Sequence, residues 1–79
     1  MRLDKYLKIA RIIKRRTIAK EACDKGRVKL NDQVAKSSSV VKAGDIIEIT
    51  FGESKYKYKI TEIKEHVRKE DATNMYESL

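Results

Sequence analysis

The sequence predicts an α+β fold: two N-terminal helices packed on a small, mainly antiparallel sheet, with a short helix near the C-terminal end. Three observations carry this. Apolar residues recur every three or four positions up to Cys23, the period falls to two after Gly26, and helical spacing returns beyond Arg68. With 79 residues, 41% of them hydrophobic, the chain can close one small core. Residues 1–79 are therefore read as a single domain, its core over about 1–63 and a helical tail over about 68–79.

Leu3, Tyr6, Leu7, Ala10 and Ile13 or Lys14 draw one apolar stripe, with Lys5, Lys8 and Arg11 on the opposite side. Ile9 and Ile12 do not fit that stripe, so the first helix is expected to end or bend near Ala10 to Ile13. A second helix runs from about Arg16 to Lys25, with Ile18, Ala19, Ala22 and Cys23 facing inward. Gly26 stops it, since glycine adopts the left-handed cap conformation at no steric cost. At its start Lys14 and Arg15 stand where Ser, Asp or Asn would cap.

Val28 and Leu30 alternate with Arg27 and Lys29, and Asn31-Asp32 is a tight-turn pair leading back through Val34, which makes a small hairpin. Ser37 to Ser39 read as a surface connection, and Lys42-Ala43-Gly44-Asp45 as a turn before a strand from Ile46 to Phe51 that ends at Gly52. A strand from Lys55 to Ile63 follows, with Tyr56, Tyr58 and Ile60 on one face. Lys55, Lys57 and Lys59 lie on the other, a pattern suited to guarding a sheet edge. In the tail, Ala72, Met75, Tyr76 and Leu79 fall at helical spacing, for packing on the sheet or for a partner.

Charge is distributed unevenly. Met1 to Lys29 holds eleven Lys or Arg against three acids, a net of +8; Leu30 to Leu79 holds eight against nine, a net of −1. A folded domain that concentrates like charge accepts self-repulsion, and a polyanionic partner compensates it. The single Cys23 forms no internal disulfide, which fits a reducing cytoplasm, and no run approaches the roughly 18 apolar residues of a membrane span. One histidine, one cysteine and no glycine-rich phosphate loop offer neither catalytic nor metal-binding spacing, and no cofactor is expected. His66 sits in a charged stretch and reads as solvent-exposed, while Asp45, Glu48, Glu62, Glu65, Glu70 and Asp71 read as structural or solvated.

Two adjacent elements supply the basic set: Lys5, Lys8 and Arg11 from the first helix, and Arg15, Arg16, Lys20 and Arg27 from the second helix and the strand start. Together with Arg2 they are expected to line one surface, where arginine's planar fork holds a phosphate or stacks on an unpaired base. Asp4 is the acid inside this field. It is either a first-turn carboxylate favoured by the helix dipole, or a group that orients Arg2 or Arg16 or accepts a ribose hydroxyl.

The segment from Arg2 to Ile49 resembles the RNA-binding domain named after ribosomal protein S-four. The residues that carry the resemblance are Arg2-Leu3-Asp4, Arg16-Thr17 with Ala19, Gly26-Arg27-Val28, Asn31 and Gly44-Asp45, in this order and spacing. The basic segment from Ile12 to Glu21 and the ending with Asn74-Met75-Tyr76 and Leu79 are similar to the small stand-alone RqcP family, and more distantly to the heat-shock S-four protein. The resemblance implies an αL-like RNA-binding motif and a cytoplasmic, non-enzymatic, monomeric factor. It implies binding to large ribosomal subunit RNA and peptidyl-tRNA on an obstructed subunit, and support of C-terminal alanine tailing with an RqcH-type partner. Carried over by position, the RNA contacts fall on Arg2, Asp4, Lys5, Lys8, Arg11, Arg15, Arg16, Lys20 and Arg27. Arg15 in place of a capping serine, and Asp32 in place of glycine after Asn31, depart from the domain's pattern. A heat-shock-type factor that recycles large subunits without tailing is the nearest alternative, then a generic ribosomal RNA module or a DNA-binding protein.

Overall fold

A computed structural model describes every residue from Met1 to Leu79. The order is α1 (Leu3–Ile9), α2 (Arg16–Asp24), β1 (Val28–Leu30), β2 (Gln33–Val34), β3 (Ile46–Phe51), β4 (Ser54–Ile60), a 3₁₀ helix (Lys69–Met75) and β5 (Tyr76–Ser78). The strands form one antiparallel sheet in the order β2-β1-β3-β4-β5. Leu3, Tyr6, Leu7 and Ala10 close with Ala19, Ala22 and Cys23 on Val28, Ile47, Ile49 and Ile60, so both helices cover one sheet face. Burial pushes the Cys23 thiol up to about 11, as befits a core residue.

Both helices end in the same hydrogen-bonded motif. At α1 the Arg11 N–H bonds the Lys8 carbonyl and the Ile12 N–H the Leu7 carbonyl, each at 3.1 Å. At α2 the Gly26 N–H bonds Cys23 and the Arg27 N–H bonds Ala22, each at 3.0 Å. The residue after each cap is left-handed, Arg11 at φ 59° and Gly26 at φ 72°. The Asn31-Asp32 turn also has both residues left-handed, at φ 51° and 68°, so aspartate in place of glycine leaves the turn intact. Asn31 fastens it, donating to Asp45 at 3.1 Å and accepting the Ile46 N–H at 2.9 Å.

Four expectations are corrected. Ile18 is 46% exposed, because Ala19, Ala22 and Cys23 alone fill the inward stripe of α2. Ser37 is buried, since its carbonyl accepts the Asp4 N–H at 3.2 Å at the start of α1. β4 is an edge only in its first half: β5 pairs with Tyr58 to Ile60 and leaves Ser54 to Tyr56 without a partner on that side, and Lys55, Lys57 and Lys59 line the sheet's open face. The tail buries Ala72 and Met75 as its spacing implies, but turns into a strand at Tyr76 and leaves Leu79 exposed. The physical reason is the Met75 carbonyl, which accepts the Tyr6 hydroxyl at 2.8 Å and the Thr61 and Glu62 N–H groups at 2.8 and 3.2 Å. With that carbonyl engaged, the chain extends, and Tyr76 packs edge-on against Tyr58 at 5.1 Å.

Candidate nucleic-acid interface

The first cation cluster is built around Asp4. Its position is set by the 37–41 loop, which accepts the Leu3 N–H at Ser39 and donates the Val41 N–H to Met1, while Arg2 bridges to Val40. Asp4 is 2% exposed, and its carboxylate accepts the Lys5 N–H at 2.8 Å, Arg2 at 3.3 Å and Arg16 at 3.4 Å. Buried carboxylates persist where donors satisfy them. Each arginine gives Asp4 a single Nη2 contact at a distance longer than a tight charge-assisted bond, and each side chain stays nearly half exposed. Neither guanidinium makes a second side-chain hydrogen bond within the protein, so the carboxylate orients two arginines without using up their donors. Both readings of Asp4 therefore hold geometrically: it lies in the first turn of α1 and it gathers Arg2 with Arg16.

The second cluster lies at the other end of α1. Lys8, Arg11 and Lys14 line a cleft of about 320 Å³ with Ile9, Glu65, His66 and Val67. Arg11 holds a left-handed backbone that a side chain adopts at a cost. Lys14 and His66, given no RNA-binding role by the sequence, join this cleft because the 61–68 segment folds back beside α1. Glu65 tempers it, accepting Lys5 at 3.0 Å; that hydrogen bond holds its carboxyl below the usual range.

The remaining residues are dispersed. Arg15 occupies the extended position before α2 with no side-chain cap, Lys20 pairs with Asp24 at 3.6 Å, and Arg27 lies beside Phe51 at a separate notch. Of the nine expected contacts, the structure joins Arg2, Asp4 and Arg16 in one cluster and Lys8 with Arg11 in another. Lys5 is tied to Glu65, sixty residues away, a pairing no local spacing discloses.

The S4 domain family model matches residues 1–47. The RQC P-site tRNA stabilizing factor of Streptococcus pneumoniae is 57% identical over 77 residues, covering 98% of this chain and 88% of that protein. The factor of the same name from Bacillus subtilis is 50% identical over 76 residues, covering 96% and 88%. Among solved structures, trimeric Heat Shock Protein 15 of Vibrio cholerae matches with a TM-score of 0.91 at 32% identity, covering 100% of this chain and 81% of that one.

Proposed function

The chain belongs to the S4 domain family and, within it, to the RQC P-site tRNA stabilizing factors, and from that premise we propose that it steadies tRNA on a large ribosomal subunit during ribosome quality control. It binds the obstructed subunit in the cytoplasm, contacts ribosomal RNA and peptidyl-tRNA, and supports alanine tailing of the stalled chain beside an RqcH-type partner. The observation that carries this reading is the Arg2–Asp4–Arg16 cluster, two half-exposed guanidinium forks aimed by one buried carboxylate. Such a pair meets a phosphodiester without first ordering two flexible side chains, which lowers the entropic cost of binding. The cleft with Lys8, Arg11 and Lys14 adds a second group of cations at the other end of α1. The protein supplies position and charge, and leaves the chemistry to the ribosome.

Arg16→Ala tests this. Its side chain is half exposed, so the thermal melt stays within a few degrees, while co-sedimentation with large subunits is lost. With about five phosphates contacted, wild-type affinity falls roughly hundredfold between 50 and 200 mM salt. Undiminished co-sedimentation of the variant, or salt-insensitive binding of the wild type, contradicts the reading. The likeness to Heat Shock Protein 15 favours a second reading, recycling of subunits without tailing. Alanine-tail synthesis in a deletion strain, restored by this chain or not, separates the two.

A further inference from the structure

On the flank of α2 away from Arg16 and Lys20, the molecule exposes three large apolar side chains together: Ile18 at 46%, Phe51 at 42% and Tyr56 at 47%. Ile18, Ala22 and Phe51 wall a notch of about 150 Å³ whose rim is Glu21, Lys25 and Arg27. Phe51 extends β3 past Ile49 on the same sheet face, and its ring meets that of Tyr56 at 6.2 Å and a 59° tilt. The pair therefore leaves ring surface open to solvent instead of closing on itself. The rim carries surplus positive charge: Glu21 is taken by Lys25 at 2.7 Å, and Arg27 makes no ion pair.

We propose that this notch receives one unpaired base of RNA, stacked on Phe51, with its phosphate on Arg27. Exposed apolar surface of this kind marks an interaction site, and its chemistry selects among occupants. A notch far below the roughly 300–1,000 Å³ of a small-molecule pocket admits one planar ring. Aromatic faces bordered by an unpaired arginine are how proteins hold unstacked bases, whereas an apolar peptide gains nothing from Arg27. The assignment rests on the RNA-binding reading and deepens it: Arg2 and Arg16 would hold backbone, and this flank would distinguish an open loop from a closed duplex.

The test uses an RNA hairpin carrying 2-aminopurine in its loop and a blunt duplex of the same stem. Phe51→Ala is expected to weaken hairpin binding by at least about fivefold and to abolish loop quenching, with duplex affinity within about twofold. Phe51→Tyr retains the preference; Phe51→Leu, which fills the notch without a π face, loses it. The ratio of the two affinities is unaffected by any unfolded fraction, which lowers both alike. Retention of the preference by Phe51→Leu overturns stacking. An unchanged ratio in every variant also overturns it, and if Phe51→Ala then still loses large subunits, the notch is a protein-docking surface. Arg16→Ala should weaken both RNAs equally; if it weakens neither, the interface reading fails, independently of the outcome at Phe51.

Discussion

The ends of α1 and α2 are drawn with the same hydrogen bonds and different residues. At α2 the left-handed position after the cap is Gly26, which occupies it freely; at α1 it is Arg11, which does not. The helices lie side by side in one core, so the difference is not one of fold. It lies in what surrounds each end: Gly26 sits on an exposed turn into β1, and Arg11 opens onto the cleft with Lys8, Lys14 and His66. Strain is kept where glycine would relieve it, beside a concentration of cations, and the proposed recognition of RNA gives it a use.

Exchanging the residues probes this, and the larger effect is expected at α2. Gly26→Arg forces a side chain into the left-handed region, at a cost of about 1–2 kcal/mol. A Cβ there meets only Val34 Cγ1 at 3.9 Å, so the penalty is conformational and not a clash. The melt should fall by about 4–8 °C for each kcal/mol lost. An unchanged melt would mean that the motif tolerates arginine freely and that Arg11 stores no strain.

Arg11→Gly runs the other way with a smaller amplitude. Relief of the left-handed strain is partly offset by the greater freedom of glycine in the unfolded chain, leaving a gain of about 0.5–1 kcal/mol. The same variant should bind large subunits more weakly, with a salt slope shallower by about 0.7, the loss of one phosphate contact. A more stable variant with an undiminished slope would separate Arg11 from the interface and leave the strain without a function.

How much of this could be read from the chain alone follows the range of each interaction. The boundaries of α1 and α2, the Asn31-Asp32 turn and the turn at Gly44 are local, set by periodicity and by residues that tolerate positive φ, and they stand in the structure close to where the sequence puts them. The lysines of β4 were ambiguous because an edge and an open face both call for solvent-facing charge. Only the pairing of Tyr58, Lys59 and Ile60 with β5 distinguishes them. Likewise Ala72 and Met75 carry a helical spacing, but the strand that follows depends on the Tyr6 hydroxyl reaching the Met75 carbonyl from the far end of the chain. Charge density singles out the eight basic residues around Asp4, but their division into clusters is hidden from it because that division depends on tertiary partners such as Glu65.

That pairing gives the smallest effect. Glu65 is the one acid in the cleft that holds Arg11, and it is occupied by Lys5. The cleft thus carries an acid, drawn from the tail, that tempers its own positive charge. Glu65→Gln keeps the side chain's shape while removing the charge and freeing Lys5 for an anion. Because Glu65 is an exposed side chain in a surface ion pair, the melt should hardly move. RNA affinity should rise about two- to fivefold at low salt, and the gain should vanish as ionic strength screens the site. Equal affinity of variant and wild type at every salt concentration would mean that the end of α1 faces solvent in the bound state. The contrast between Arg11 and Gly26 would then need an explanation outside RNA recognition.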